Sequence, residues 1–301
     1  MSGWRHAAAV VLLAGCARGT GAPAAAVAPA SPTPAPAPAA APVPAPPPAA
    51  TPARQPPPSL VRYGPSAMRY LVIRRLRIEQ SFGGQLQRQD LGARVFVGVV
   101  ITGPADGRGY PTTFTVDSVL ADSGTPQPVA DNLSRVRALV LAGRLAPRGD
   151  FQTSDTTSAQ STAQLVGNFR DFMPRIPMEG VRVGTAWTDT MALTQRTGDG
   201  AVTRRATIRS AAAAWEDHSG TRSVRIESTT TYSVAGSGQN GGQAFEVGGT
   251  GVTTAHAFVA EDGRFLGGDS HDSTSLTISL PAQGLAIPVT QVLHSTVSVR
   301  P

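Results

Sequence analysis

One compact group of side chains in this sequence could carry out acid–base or metal chemistry. Residues 267–273 read GGDSHDS, with Asp269 and His271 two positions apart and Asp272 beside them. In a β-strand, side chains two positions apart share a face at about 6–7 Å, which suits two metal ligands or an acid–base pair. Asp272 would point to the opposite face. His256, in TTAHAF, could complete the site from a neighbouring strand, which would give a metal-dependent hydrolase.

The same residues also fit a polar, solvent-facing strand. No two of the five histidines have the i, i+2 or i, i+4 spacing that places two metal ligands on one face. The sequence therefore favours a protein with no catalytic residue, no cofactor and no metal ion. A hydrolase centred on Asp269 and His271 remains the remote alternative.

Composition and local context exclude several other chemistries. The chain contains no lysine, so P-loop phosphate binding and Schiff-base catalysis lack their amine. GSGQNG at 236–241 fits the dinucleotide pattern G-x-G-x-x-G, but a strand pattern follows it, so we predict a hairpin loop there. All 20 acidic residues and all but three of the 26 basic residues lie from residue 59 onward, leaving about +3. This charge does not indicate a nucleic-acid partner.

The single cysteine, Cys16, ends a short apolar run. Residues 1–6 carry Arg5 and His6, residues 7–14 are apolar, and the run closes with LAGC. Eight apolar residues are too few for a membrane-spanning helix, which needs about 20, and they fit a secretion signal. A lone cysteine also excludes an internal disulfide.

Leu13-Ala14-Gly15-Cys16 resembles the lipobox of bacterial lipoproteins. The resemblance implies a signal peptide over 1–15, cleavage before Cys16, and lipid on the sulfur and amine of Cys16 that holds the protein on a membrane. Ala17 then favours the outer membrane facing the periplasm, because lipoproteins retained at the inner membrane often have Asp at that position. The alternative is that Cys16 is an ordinary residue of a general signal peptide.

Residues 16–58 are predicted to be the lipidated cysteine and a disordered tether. The stretch consists almost entirely of Ala, Pro, Thr, Ser and Val, and 15 of the 26 prolines lie in it. Proline removes backbone donors and fixes φ, which leaves polyproline II and coil. At about 3.1 Å per residue the tether reaches at most roughly 130 Å. A proline-rich ligand for a partner domain is the alternative, although no basic anchor accompanies the prolines.

Residues 59–301 are predicted to form a single β-rich domain. In residues 67–82, alternate positions are apolar, and Arg74 interrupts the apolar face. The apolar positions are Met68, Tyr70, Val72, Leu76, Ile78 and Phe82. Further strands are predicted at 93–102, 112–122, 187–193, 202–210, 223–234, 245–260, 266–280 and 289–299. Two segments, 131–141 and 158–172, have the apolar spacing of helices instead.

A weak internal similarity suggests two related halves. RLAPRGDFQTSD at 144–155 resembles FVAEDGRFLGGDS at 258–270. Each segment predicts a hairpin, with Gly149 or Gly263 in the turn and Phe151 or Phe265 on the returning strand. Two pseudo-repeats are one interpretation. Two unrelated hairpins that share their turn chemistry are the other.

A motif stands between the two halves. In MPRIPMEGVRVGTAW, Pro174 and Pro177 are followed by Val181, Val183-Gly184 and Trp187. This pattern resembles a signature of an uncharacterised family of bacterial envelope lipoproteins. The resemblance implies a fold like the curved antiparallel half-barrels of periplasmic lipoprotein carriers, and it brings no catalytic residues. Physically, we expect an extended crossover at the prolines, a bend at Gly184 and an anchor in the core at Trp187.

The sequence therefore predicts a mainly β protein: a large antiparallel curved sheet or half-barrel with one or two short helices in the middle. We expect a membrane-anchored, non-catalytic lipoprotein that binds an apolar small molecule or an envelope protein on a concave sheet. A structural or interaction lipoprotein with a filled core and no ligand is the alternative. An open apolar cavity would favour binding, and a packed interior would favour the structural role.

The Cys16→Ser variant tests the anchor. It should lose all lipid labelling in cells fed labelled palmitate, and should remain soluble or as uncleaved precursor, because a hydroxyl cannot form the thioether. Thr20→Ser, four residues further on, should label as the unchanged protein does. A processed Cys16→Ser protein that still fractionates with membranes would contradict the lipobox interpretation.

Overall fold

The computed structural model describes residues 59–103, 105–154, 169–197, 200–240 and 242–300. Cys16 and the rest of the predicted signal peptide and tether lie outside the described residues, as does 158–168, most of the second predicted helix. Among the described residues, no helix combines the length and the apolar character that a membrane span requires.

The described chain is mainly β, as predicted, and its strands form one antiparallel sheet. The strands are β1 (Ser66–Phe82), β2 (Gln85–Ile101), β3 (Tyr110–Ala121), β4 (Val140–Leu145), β5 (Phe151–Thr153), β6 (Ala186–Thr197), β7 (Gly200–His218), β8 (Thr221–Asn240), β9 (Gln243–Ala260), β10 (Phe265–Leu280) and β11 (Leu285–Arg300). One α-helix, α1 (Gln127–Ser134), and short 3-10 turns at Phe169–Asp171 and Pro281–Gln283 complete the described part.

The strand order is β5-β4-β3-β2-β1-β11-β10-β9-β8-β7-β6. Each strand therefore pairs with its neighbour in sequence, except where β1 pairs with β11 in the middle. β5 and β6 are the two edges and do not pair with each other. The chain between them is described at residue 154 and over 169–185, and the part from 169 to 185, the crossover, leads into β6.

The sheet is strongly curved, because residues from distant strands share one core. Phe114 on β3 and Ala212 on β7 belong to the same buried cluster, although seven strand-to-strand steps separate them. At about 4.8 Å a step, a flat sheet would hold them roughly 34 Å apart. The apolar positions of the period-2 pattern therefore face a concave interior, and the polar positions face outward.

Two buried clusters fill most of this interior. The first cluster lies where β1 begins and β11 ends, and includes Tyr70, Phe114 and Phe265, with Phe172 packed against it. The second cluster lies towards the other end, and includes Leu76, Leu293 and Ile278. The helix α1 lies beside β3, and its Leu133 is buried in the first cluster.

Three local predictions need correction. The first predicted helix, 131–141, ends at Ser134, and Val140 begins β4, because Ala138 and Leu139 exchange backbone hydrogen bonds with Val116 on β3. Of the second predicted helix, the described end is only the turn Phe169–Asp171. The predicted loop at 236–241 is strand as far as Asn240, since β8 continues to its hairpin with β9.

The two similar hairpins have the same geometry. The Ala146 and Gly149 amides donate to the Asp150 and Ala146 carbonyls, both at 2.8 Å. The Ala260 and Gly263 amides make the equivalent bonds to Arg264 and Ala260, at 2.8 and 2.9 Å. Gly149 and Gly263 have φ of 98° and 87°, which favours glycine. Each hairpin joins the fourth and fifth strands of its half, which agrees with two pseudo-repeats.

The motif between the halves covers the first cluster. The carbonyl of Pro174 accepts a 2.6 Å hydrogen bond from the Tyr63 hydroxyl, and Pro177 begins the turn closed by Gly180. Gly184 has φ of 89°, which is the bend that the motif predicted. Trp187 differs from expectation: it is half-buried and packs against the margin of the first cluster, because it begins an edge strand.

Phe114→Ala should lower the free energy of unfolding by about 3–5 kcal/mol, the usual cost of emptying a buried aromatic site. Phe114 is fully buried, with ring centroids of Phe151, Phe169 and Phe172 at 4.6, 5.0 and 5.4 Å. Phe82→Ala, at an exposed end of β1, should cost less than about 1 kcal/mol. Trp187→Ala should fall between them. Urea denaturation followed by circular dichroism measures all three, and equal midpoints for Phe114→Ala and Phe82→Ala would contradict the placement of the first cluster.

Candidate functional site

A row of small side chains crosses the concave face between the two clusters. The strand registers align one residue from each of six adjacent strands, β1, β11, β10, β9, β8 and β7. These residues, the serine row, are Arg74, Ser295, Ser270, Ala255, Ser228 and Ser210. Arg74 is the only long side chain in the row. Serine and alanine fill little volume, so the interior is less packed here than in the rows on either side.

A cavity of about 100 Å³ lies against the serine row and is partly open to solvent. The sheet supplies one wall, and Phe169–Arg175 of the crossover supplies the other. Its apolar lining includes Val72, Val95, Val97, Ile226, Phe169, Phe172 and Met173. Its polar lining includes Arg74, Thr230 and the four serines of the row. The combination of apolar walls and a few polar groups is typical of a small-molecule site.

Next to the cavity, Asp272 forms the centre of a buried hydrogen-bond network. The Tyr232 hydroxyl donates to it at 2.8 Å, and the hydroxyls of Thr253 and Thr274 donate at 2.5 and 2.8 Å. The Arg204 guanidinium lies 3.8 Å from Asp272 and stacks 3.7 Å above the Tyr232 ring. Burial and the Asp272 charge both raise the pKa of Tyr232. Tyr232 therefore stays protonated, and its hydroxyl donates a hydrogen bond to the carboxylate.

Gly251 makes this network possible. Tyr232 is on β8 and Asp272 is on β10, so the tyrosine ring must lie across β9 to reach the carboxylate. A Cβ at position 251 would overlap the Tyr232 ring. Glycine is therefore required at this position for the close approach of the ring to the backbone.

An ion cluster holds the crossover over the cavity. Arg175 contacts Asp150, Asp171 and Asp189 at 2.8, 3.0 and 2.9 Å, and Arg148 bonds Asp150 at 3.1 Å and also Asp189. Asp150 lies in the β4–β5 turn and Asp189 lies on β6. The cluster thus links the two edge regions of the sheet through the segment that runs between them.

The groups considered for hydrolysis lie on the outer face, where they form two separate pairs. Asp269 and His271 share the outer face, as predicted, and Asp272 faces the interior. His256 Nε2 contacts the Asp269 carboxylate at 2.9 Å, which confirms the expected neighbour. His271 instead pairs with His294, with ring nitrogens 3.1 Å apart, and burial together with the His271 charge lowers the pKa of His294. In the described residues, no three His, Cys, Asp or Glu side chains could hold one metal ion.

The residues around the cavity were largely missed by sequence reasoning. Arg74 was noted only as an interruption in an apolar face. Serine carries no local signal that distinguishes a buried strand position from a solvent-facing one. The signal that could have found them is a charged residue on the buried face of a long strand, because such a residue needs a partner. The motif residues Pro174, Pro177, Gly184 and Trp187 shape the crossover, and of these only Pro174 lines the cavity.

Comparison with known proteins identifies no family for this chain. No family model and no curated protein matches it. Among solved structures it is similar to Pseudomonas aeruginosa OccK2 (OpdF), at 10% identity and a TM-score of 0.29, and to OccK9 (OpdG), at 11% and 0.27. Each alignment covers 78% of this chain and 98% of the other. Scores this low do not establish a shared fold, so the resemblance to envelope lipoproteins rests on the sequence motifs.

The ion cluster predicts a pH-dependent stability. Burial alone would raise the pKa of the Asp189 carboxyl, but hydrogen bonds from Arg148 and Arg175 outweigh burial and lower it. A lowered folded-state pKa means that the stabilisation is complete above the ordinary carboxyl pKa of about 3.9 and is lost as the pH falls through the folded value. Asp189→Asn should therefore cost about 1–3 kcal/mol at pH 7 and less at pH 3.

Urea denaturation at pH 7 and pH 3 measures this difference. Asp117→Asn, an exposed carboxylate on β3, is the control and should have little effect at either pH. An Asp189→Asn cost that stays constant between the two pH values would show that Asp189 does not act through its charge.

Proposed function

We propose that this protein is a non-catalytic lipoprotein, anchored through Cys16 to the periplasmic face of the outer membrane, whose curved sheet binds a small apolar molecule. The lipobox and Ala17 support the anchor and its location. The proline-rich tether supports a binding domain held away from the membrane surface. The observation that carries the binding function is the cavity between the serine row and the crossover.

The size of the cavity limits the ligand. An engineered apolar cavity of about 150 Å³ binds benzene, so a space of about 100 Å³ suits a short alkyl chain, with the rest of the ligand towards the opening. The walls that would hold it are Val72, Val95, Val97, Ile226 and Phe172. The valines and Ile226 are held by strand pairing, and Phe172 packs against the first cluster, so the site is largely preformed.

The second candidate, a structural lipoprotein with a filled core, draws support from the packing of the two clusters. Most apolar side chains on the concave face are buried without any ligand. We favour binding because the serine row places small side chains next to one another on adjacent strands, which leaves space in the interior. A purely structural interior would gain stability from close packing in every row of side chains across the sheet.

The test is binding of 1-hexanol to the mature polypeptide, residues 16–301 with Ser at position 16, purified without detergent. Calorimetric titration should show saturable binding with a negative heat-capacity change, as burial of apolar surface requires. Ser228→Leu places a larger side chain in the cavity and should abolish binding. Ser233→Leu, on the outer face of the same strand, should bind as the unchanged protein does.

Two results would contradict the binding function. The first is absence of hexanol binding by the unchanged polypeptide. The second is hexanol binding that Ser228→Leu leaves intact while circular dichroism shows a native fold, because binding would then occur elsewhere.

A further inference from the structure

Arg74 is a buried cation that has no carboxylate within ion-pair distance among the described residues. It is 7% exposed, and it lines the cavity from β1. Its Nη2 atom has no hydrogen-bond partner, and no ion pair in the described part of the chain includes Arg74. The carboxylate of Asp171 also faces the cavity but is held by Arg175 at 3.0 Å. Asp269, on the neighbouring row, has its carboxylate on the outer face against His256.

Other buried arginines in this protein have partners. Arg175 contacts three carboxylates. Arg204 makes no hydrogen bond through its Nε and Nη2 atoms, but it has the charge of Asp272 at 3.8 Å and the Tyr232 ring beneath it, whereas Arg74 has no such ion pair. The contrast matters because a guanidinium cannot lose its proton in a protein and so cannot escape the cost of burial by neutralising itself. A guanidinium that lines a cavity without a partner is therefore suited to binding an anion.

We propose that the ligand of the cavity is a small apolar carboxylate whose charged end binds Arg74. This inference rests on the proposed binding function and names the ligand class. One guanidinium balances one negative charge, and its planar fork matches the two oxygens of a carboxylate. Thr230 also lines the cavity; it is completely buried and its Oγ1 atom has no hydrogen-bond partner. The valines and phenylalanines of the cavity hold the apolar end.

The experiment compares hexanoate with 1-hexanol at pH 7 by calorimetric titration, again with residues 16–301 carrying Ser at position 16. The two probes share one chain and differ in charge. The unchanged polypeptide should bind hexanoate at least tenfold more tightly than hexanol. Arg74→Met should bring the two affinities within about twofold of each other, while Arg75→Met, one residue away on the outer face, should keep the preference.

The outcomes separate this inference from the proposed function. Equal affinities of the unchanged polypeptide for hexanoate and hexanol would overturn the carboxylate inference and leave the binding function intact. No binding of either probe would overturn both. Tighter binding of inorganic phosphate than of hexanoate would overturn the carboxylate class. The comparison of the two probes needs no variant, so it remains decisive if Arg74→Met does not fold.

One control tests whether a carboxylate of this chain binds Arg74. Asp155 is the single acidic residue in segment 155–168, which lies outside the described residues. If Asp155→Asn raises hexanoate affinity tenfold or more, the chain's own carboxylate competes for Arg74 and the inference is overturned. Unchanged hexanoate affinity in Asp155→Asn supports a carboxylate from outside the chain.

Discussion

β1 and β11 pair antiparallel from Arg69 opposite Arg300 to Gln80 opposite Val289. This pairing joins the beginning and the end of the described chain in the middle of the sheet. All other paired strands are neighbours in sequence, so this one long-range pairing fixes the alignment of the two halves. It also leaves β5 and β6 as the edges, and the described part of the segment between them covers the cavity from Phe169 to Arg175.

The ion cluster links the two edge strands that the strand order leaves unpaired. β5 and β6 share no backbone hydrogen bonds, yet Arg148 in the β4–β5 turn bonds Asp189 on β6, and Arg175 binds carboxylates from both sides. Ion pairs tolerate more geometric variation than a strand ladder. The curved sheet is therefore held at its open side by side chains from the crossover. This arrangement positions Phe169 and Phe172 over the first cluster and forms the outer wall of the cavity.

The concave face carries polar side chains between the two apolar clusters. Among them, Asp272 is surrounded by three hydroxyl donors and an arginine, so its burial is compensated. Arg74, on a neighbouring row, lines the cavity without such compensation in the described chain. Each unpaired buried polar group lowers stability. Asp272 has its partners within the chain, whereas Arg74 is the group for which we propose a ligand, and both belong to one interior surface.

The sequence by itself determined the class of fold and most strand positions, because a period of two repeated over long segments is a local signal. It also determined the bend at Gly184 and the two glycine turns, since positive φ favours glycine whatever the surrounding structure. The helix at 131–141 failed in its second half because Val140 pairs with β3, a contact that local spacing cannot show. Only the tertiary structure decided the site. Arg74 and the serines lie up to 221 residues apart in sequence, from Arg74 to Ser295, and they meet because the registers of six strands place them at one level.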